Sequence, residues 1–167
     1  MAAGSTYTPI ATTTLGSAAA SYTFTGISSS YTDIILISSL PGNQPGANLK
    51  IRVGNGSIDS GSNYSYTQLY GTGAGAASLR ASNQTGMNVG VVAGTNSMQI
   101  VHFQNYSNTT TYKTVLFRGS APSNYVDASV GLWRSTSAIN QIYIADESGT
   151  NLAAGSTFTL YGILSAT

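Results

Sequence analysis

The sequence predicts an all-β fold, namely an antiparallel, jelly-roll-like β-sandwich of about 8–11 short strands with little or no helix. Short runs of β-branched and aromatic residues are separated by Gly, Asn, Ser and Pro clusters, a spacing typical of sandwiches and barrels. Helical periodicity is almost absent. Charged residues make up only 7% of the 167 residues, against about 25% in an ordinary globular domain. Polarity comes instead from 24 Ser, 21 Thr and 12 Asn, so the chain is weakly charged but not of disordered composition.

In chain order, the pattern predicts strands near residues 8–14, 20–26, 31–39, 48–54, 63–71, 88–93, 97–104, 111–118, 125–134, 140–146 and 156–164. Leu49, Ile51 and Val53 alternate with two basic residues, so one face of that strand is core and the other solvent. The strand at 31–39 is apolar on both faces at its middle, which favours a central position. The strands on either side of the loop NYSNTTT are expected to pair.

Three segments lie outside this regular pattern. Pro41-Gly42 and Pro45-Gly46 predict a turn, and residues 74–82 (AGAASLRAS) have the composition of a turn or two of helix. Residues 1–20 leave two interpretations open: an edge strand with a frayed end, or an arm that orders against a neighbouring molecule. No shift in composition marks a second domain, so one domain spanning 1–167 is expected.

The last predicted strand is apolar on both faces. Phe158, Leu160 and Leu164 fall on one side, and Tyr161 and Ile163 on the other. Such a strand is expected to be covered twice. The second cover is either another sheet of the same chain or another subunit.

Charge and cysteine content argue against several function classes. A net charge of +1 gives no reason to expect nucleic acid or an anionic membrane as a partner. The absence of cysteine removes disulfides, thiolate catalysis and Cys-bound zinc. The N-terminus lacks the basic start and apolar core of a cleaved leader, and the longest apolar run, residues 34–37, is too short to span a bilayer. A soluble protein is expected.

Groups that could support catalysis are few, namely five acids and one histidine. His102 lies in an alternating strand, on the face of Met98 and Ile100, where a hydrogen-bonded sheet residue is more typical than a general base. Asp146 and Glu147 are adjacent in a turn, where acids are usually solvated rather than paired for glycoside hydrolysis. We therefore expect no enzyme and no catalytic residue.

Two apparent ligand motifs fail on their context. Residues 59–63 (DSGSN) resemble the start of a calcium loop, but Tyr70 stands where the closing Glu is required. Residues 71–76 (GTGAGA) fit a dinucleotide fingerprint without its βαβ unit or its acidic residue. We expect no metal and no cofactor.

One strand carries a row of tyrosines. In NYSYTQLYG, Tyr64, Tyr66 and Tyr70 share a face with Gln68. Tyrosine suits sandwich interiors, subunit interfaces and stacking on sugar rings, so three interpretations stay open: core, interface and glycan platform. Trp133, the only tryptophan, is predicted to be core.

The C-terminal third carries a more distinctive pattern. An I-x-x-I motif at Ile139 and Ile142 leads to a loop, and G-S-x-x-x-L-Y-G-I then runs from Gly155 to Ile163. Near the start, ASYTFTGISSSYTDIILI looks like the matching opening. Together these segments, about half the chain, resemble virion structural proteins of tailed bacteriophages, especially cyanobacterial phages.

The resemblance implies a compact β-sandwich that works as a homotrimer in the virion. The expected function is that of a capsid cement (decoration) protein on the outer surface of the head, bound to the major capsid protein and stabilising the assembled shell. The alternative is a trimeric head- or tail-fibre tip that recognises a host surface glycan. The candidate shell or subunit contacts are Tyr7, Thr8, Ile10, Thr14, Tyr64, Tyr66 and Tyr70.

Overall fold

The computed structural model describes residues 6–44, 48–91, 96–122 and 125–164. These residues form thirteen strands and no helix, and hence no helix that could cross a membrane. The strands are β1 (Tyr7–Thr14), β2 (Ser21–Phe24), β3 (Asp33–Leu40), β4 (Asn48–Asn55), β5 (Ser57–Ile58), β6 (Tyr64–Gly71), β7 (Ala76–Gln84), β8 (Met87–Val91), β9 (Ser97–Phe103), β10 (Lys113–Ala121), β11 (Tyr125–Trp133), β12 (Gln141–Asp146) and β13 (Thr157–Ile163). The predicted all-β class is confirmed.

The strands form two antiparallel sheets that pack as a jelly-roll-like sandwich. The large sheet has eight strands in the order β1-β13-β3-β9-β10-β11-β6-β7. The small sheet has the order β2-β12-β4-β5, and β8 also pairs with β4. Neighbours in the large sheet are often far apart in sequence, because β13 is inserted between β1 and β3.

The core lies between the sheets and is built from alternate residues of their strands. In β4, Leu49, Ile51 and Val53 are fully buried, as the alternation predicts. The apolar strand β3 is central, since it pairs with β13 on one side and β9 on the other. Further fully buried members are Ile34, Leu36, Val101, Phe103, Val115, Ile142, Ile144, Phe158 and Leu160.

Two local predictions have opposite outcomes. The strands flanking NYSNTTT do pair, as β9 and β10. The helical interpretation of residues 74–82 is wrong, because Ala76–Gln84 forms the edge strand β7 along β6. Most side chains of β7 are exposed, so no alternation of apolar and polar residues marks it in the sequence. The free edge of β6 supplies the backbone partners that make this segment a strand.

The N-terminal segment is an edge strand over the residues that the structure describes. β1 pairs with β13 from Tyr7 to Thr14 with one bulge. The hydroxyls of Thr12 and Thr14 lie 3.2 and 3.1 Å from those of Thr159 and Thr157. Residues 1–5 of the predicted arm lie outside the described residues.

Among the residues that the structure describes, the final strand is covered on one side only. Phe158 and Leu160 are fully buried against the small sheet, and the ring of Tyr31 lies over Gly162. Leu164, predicted to share their side, follows the end of β13 and is 40% exposed. Tyr161 and Ile163 point away from the core and are half-buried. The second cover predicted from the sequence is therefore not another sheet of the described chain.

Candidate interaction surface

The large sheet turns one face to the core and one away from it, and the second is called the outer face here. Strand pairing aligns the outward side chains in rows across the sheet. One row follows Thr159, Ile37, Ile100, Arg118, Ala128 and Leu69. The next follows Tyr161, Ile35, His102, Leu116, Val130, Thr67 and Arg80. Both rows are mainly apolar.

Large apolar side chains on this face are open to solvent. Leu69 is 61% exposed, Val126 60% and Met98 49%, and Leu116 and Val130 are 41% exposed each. A solvated face of an antiparallel sheet normally carries polar side chains. A contiguous exposed apolar area on a sheet indicates an interaction site.

Shallow depressions cross the outer face. One of about 440 Å³ is lined by residues that include Tyr7, Ile35, His102, Leu116 and Arg118. A second, of about 620 Å³, lies near the β7 edge against Leu69, Val126 and Ala128, among others. The surface therefore has relief that could accommodate protruding side chains of a partner.

Charged groups on the outer face differ in whether they are paired. His102 Nε2 lies 2.8 Å from Asp33 Oδ2, and Asp33 Oδ1 accepts a 2.7 Å hydrogen bond from the backbone N–H of Asn105. His102 is thus a sheet residue whose side chain is hydrogen-bonded to Asp33, as its place in an alternating strand predicts. Arg118 and Arg80 are exposed, and neither forms an ion pair with the described residues.

Tyr64 and Tyr66 point into the sandwich, so the structure supports the core interpretation for them and corrects their assignment as contact residues. Tyr64 is fully buried. Its hydroxyl accepts a 3.1 Å hydrogen bond from the N–H of Val53 and lies 2.8 Å from the carbonyl oxygen of Asp59. Tyr66 is 8% exposed, and its hydroxyl accepts a 2.9 Å bond from Asn88. Burial raises the pKa of both phenols.

Tyr70 lies at one end of the same inward face, where it is half-buried and stacked on Tyr125 with ring centroids 5.8 Å apart. The Tyr125 hydroxyl accepts a 2.9 Å hydrogen bond from Gln68 Nε2. Burial raises the pKa of Tyr125 to about 12. These rings border the buried carboxyl of Asp127, which also accepts a bond from Gln68. The tyrosine row is therefore not a flat exposed platform.

The four β1 candidates divide between two faces. Tyr7 is 56% exposed, packs edge-on against Tyr161 and lines the smaller depression. Thr14 is exposed, and its hydroxyl lies near that of Thr157. Thr8 and Ile10 are half-buried, and Ile10 packs against the core. Of the seven predicted contact residues, Tyr7 lines the 440 Å³ depression and Tyr70 is among the residues that line the 620 Å³ one.

Most of the residues that form this surface were not among the contact residues predicted from the sequence. Leu116 and Arg118 alternate with the buried Val115 and Phe117 in β10. The signal that could have revealed them also marks the final strand, namely apolar residues on both faces of one strand. The buried Lys113 was also missed; its Nζ donates hydrogen bonds to the carbonyl oxygens of Thr111 and Thr136, and burial lowers its pKa.

No protein-family model matches the sequence, and no curated protein matches it. Among solved structures, exo-inulinase from Aspergillus awamori superposes with a TM-score of 0.52 at 12% identity, over 94% of this chain and 29% of the inulinase chain. This chain therefore spans less than a third of that protein. Galectin LEC-6 from Caenorhabditis elegans is 10% identical, with a TM-score of 0.40 over 92% of this chain and 96% of the galectin. The inulinase match shows a shared fold.

Proposed function

We propose that this protein is a capsid cement protein of a tailed bacteriophage, which binds the outer surface of the head shell as a homotrimer. The observation that carries the proposal is the exposed apolar outer face of the large sheet. Burying that face on a partner would remove the exposed apolar side chains from water. The pattern in residues 139–163 supports the virion setting and the trimer.

The mechanism would be mechanical rather than chemical. A protein that binds the assembled shell and not its separated subunits stabilises assembly by mass action. A contact of ordinary size, about 1,600 Å² in total, is enough for a stable specific complex. The sandwich suits this task because its two sheets pack on one continuous core that holds the outer face in shape.

A second candidate is a fibre tip that recognises a host glycan. The depression beside Tyr7 favours it, because an aromatic ring there lies near the polar groups of His102 and Arg118. Rings stack on sugars, and the polar groups would bond their hydroxyls. Against it, the rest of the outer face is mostly aliphatic.

Copy number in purified particles separates the two candidates. Quantitative mass spectrometry against the major shell protein should find this chain at a number on the order of the shell protein's own. A handful of copies would instead favour the fibre tip. Its absence from particles would contradict both candidates.

A further inference from the structure

We infer that the outer face of the large sheet is the shell-binding surface, and that Arg118 docks on a carboxylate set among apolar side chains of the shell protein. The inference rests on the proposed function and adds the surface and the chemistry of the partner. It moves the contact from the tyrosines of β6 to the middle strands of the large sheet.

Arg118 stands at the centre of the apolar area. β10 has four strands on one side of it and three on the other. Across the sheet, Arg118 is flanked by Ile100 of β9 and Ala128 of β11, and Leu116 precedes it on the same face of β10. Arginine is enriched in the core of protein interfaces and among the few residues that contribute most of the binding energy.

Within the part of the chain that the structure describes, no side-chain carboxylate is available to that arginine, since each of the five acids is engaged elsewhere. Asp33 is bound by His102 and the Asn105 N–H, and Asp127 is buried on the core side. Asp59 accepts from Trp133, Asp146 from Ser148, and Glu147 from Asn48. Covering Arg118 without a counter-charge would leave a desolvated cation, which is costly. The partner must therefore bring the acid, which can meet the guanidinium with two parallel hydrogen bonds.

The same charges argue against a second copy of this chain on this face. Two outer faces brought together would place two copies of Arg118 and two of Arg80 in one interface, to which the described residues bring no unpaired side-chain carboxylate. Like charges in a buried interface cost several kcal/mol. A sugar is disfavoured because Leu116, Val130, Ile100 and Leu69 present branched aliphatic groups instead of flat rings. A protein surface with apolar residues around an acid fits all of these features.

The test measures how tightly variants of this protein bind to phage heads. The heads come from the phage that encodes the protein and are assembled without it. Arg118→Glu should weaken binding at least tenfold, while Arg118→Lys should keep part of it, because lysine retains the charge but not the bidentate geometry. Leu116→Ser should weaken binding as well. Lys50→Glu, on the small sheet, makes the same change of charge and should bind like the wild type. Circular dichroism and size exclusion would check the fold and oligomeric state of each variant.

The outcomes separate the inference from the proposed function. If the wild type does not bind the heads, the cement function fails. If the wild type binds and Arg118→Glu binds equally well, the function stands and the inference is overturned. A change of oligomeric state in Arg118→Glu would make the outer face a subunit contact and would also overturn it. So would an Arg118-dependent signal on a glycan array without Arg118-dependent binding to heads.

Discussion

The indole Nε1–H of Trp133 donates a 2.7 Å hydrogen bond to Oδ2 of Asp59. The indole is 3% exposed, which confirms the prediction that the single tryptophan is core. Asp59 also accepts bonds from the N–H of Gly61 and the amide of Asn63. The Trp133–Asp59 hydrogen bond therefore holds the loop before β6 against the edge of the core.

Trp133→Phe removes one donor from this carboxylate and should lower the free energy of unfolding by about 1–3 kcal/mol. Burial by itself raises the pKa of Asp59, but the bonds from Trp133, Asn63 and Gly61 outweigh it and hold the pKa below 3.8. The folded protein is thus stabilised above pH 3.8 and loses this contribution as the pH falls through the lower, folded-state pKa. Urea unfolding should show less of this acid dependence in the variant.

The matched control is Tyr112→Phe, which removes a hydroxyl from a ring that is 54% exposed. It should change stability by no more than about 0.5 kcal/mol. An equal loss in both variants would contradict the role given to the Trp133–Asp59 bond.

Asp127 should produce the opposite pH dependence. Burial raises its pKa above 3.8, against the opposing bonds from Gln68 and Ser129. The folded state then holds its proton more tightly than the unfolded chain. The contribution of Asp127 to the free energy of unfolding is fully present below pH 3.8. It is lost as the pH rises through the raised pKa, by at most about 1.4 kcal/mol per pH unit.

Asp127→Asn removes this titration, so the stability of the wild type relative to the variant should fall over the pH range above 3.8. Urea unfolding of both proteins at each pH gives that difference, from which the other acids largely cancel. A difference that stays constant over this range would contradict a raised pKa at Asp127.

Gly162, within the L-Y-G-I ending, should not tolerate a side chain. A Cβ there would collide with the ring of Tyr31. Gly162→Ala should therefore cost about 1–3 kcal/mol through overpacking. Gly16→Ala, where a Cβ meets nothing within 4 Å, is the control for thermal melting. In a Tyr31→Ala background the cost of Gly162→Ala should shrink, and an unchanged cost would rule out the ring as its cause.

Tyr64→Phe tests the core assignment of the tyrosine row. Loss of the hydroxyl leaves the buried N–H of Val53 without this acceptor, so we expect a loss of about 1–3 kcal/mol. Tyr66→Phe removes a hydroxyl that accepts one bond from Asn88 and should cost less. Neither change should alter the oligomeric state measured by light scattering. Dissociation of an oligomer by Tyr64→Phe would return this residue to the interface.

Local patterns were enough to predict the strands whose two faces differ. Leu49, Ile51 and Val53 mark β4 because burial of one face requires alternation. The eleven predicted strands are all present, and the loop between β9 and β10 identifies their pairing. β7 was not predictable in this way, because it owes its conformation to the edge of β6 rather than to its own side chains.

The sequence by itself determined that apolar and polar residues alternate along several strands, that the chain folds as β-structure, and that some strands are apolar on both faces. Only the tertiary structure decided which face is inside. Periodicity makes Tyr64 and Ser65 face opposite ways, but the packing of the small sheet puts the tyrosine in the core. Likewise Ile37, Arg118 and Leu69 come to lie in one row through pairings between strands that are distant in sequence. No local pattern encodes that row, because it depends on the order of eight strands in the sheet.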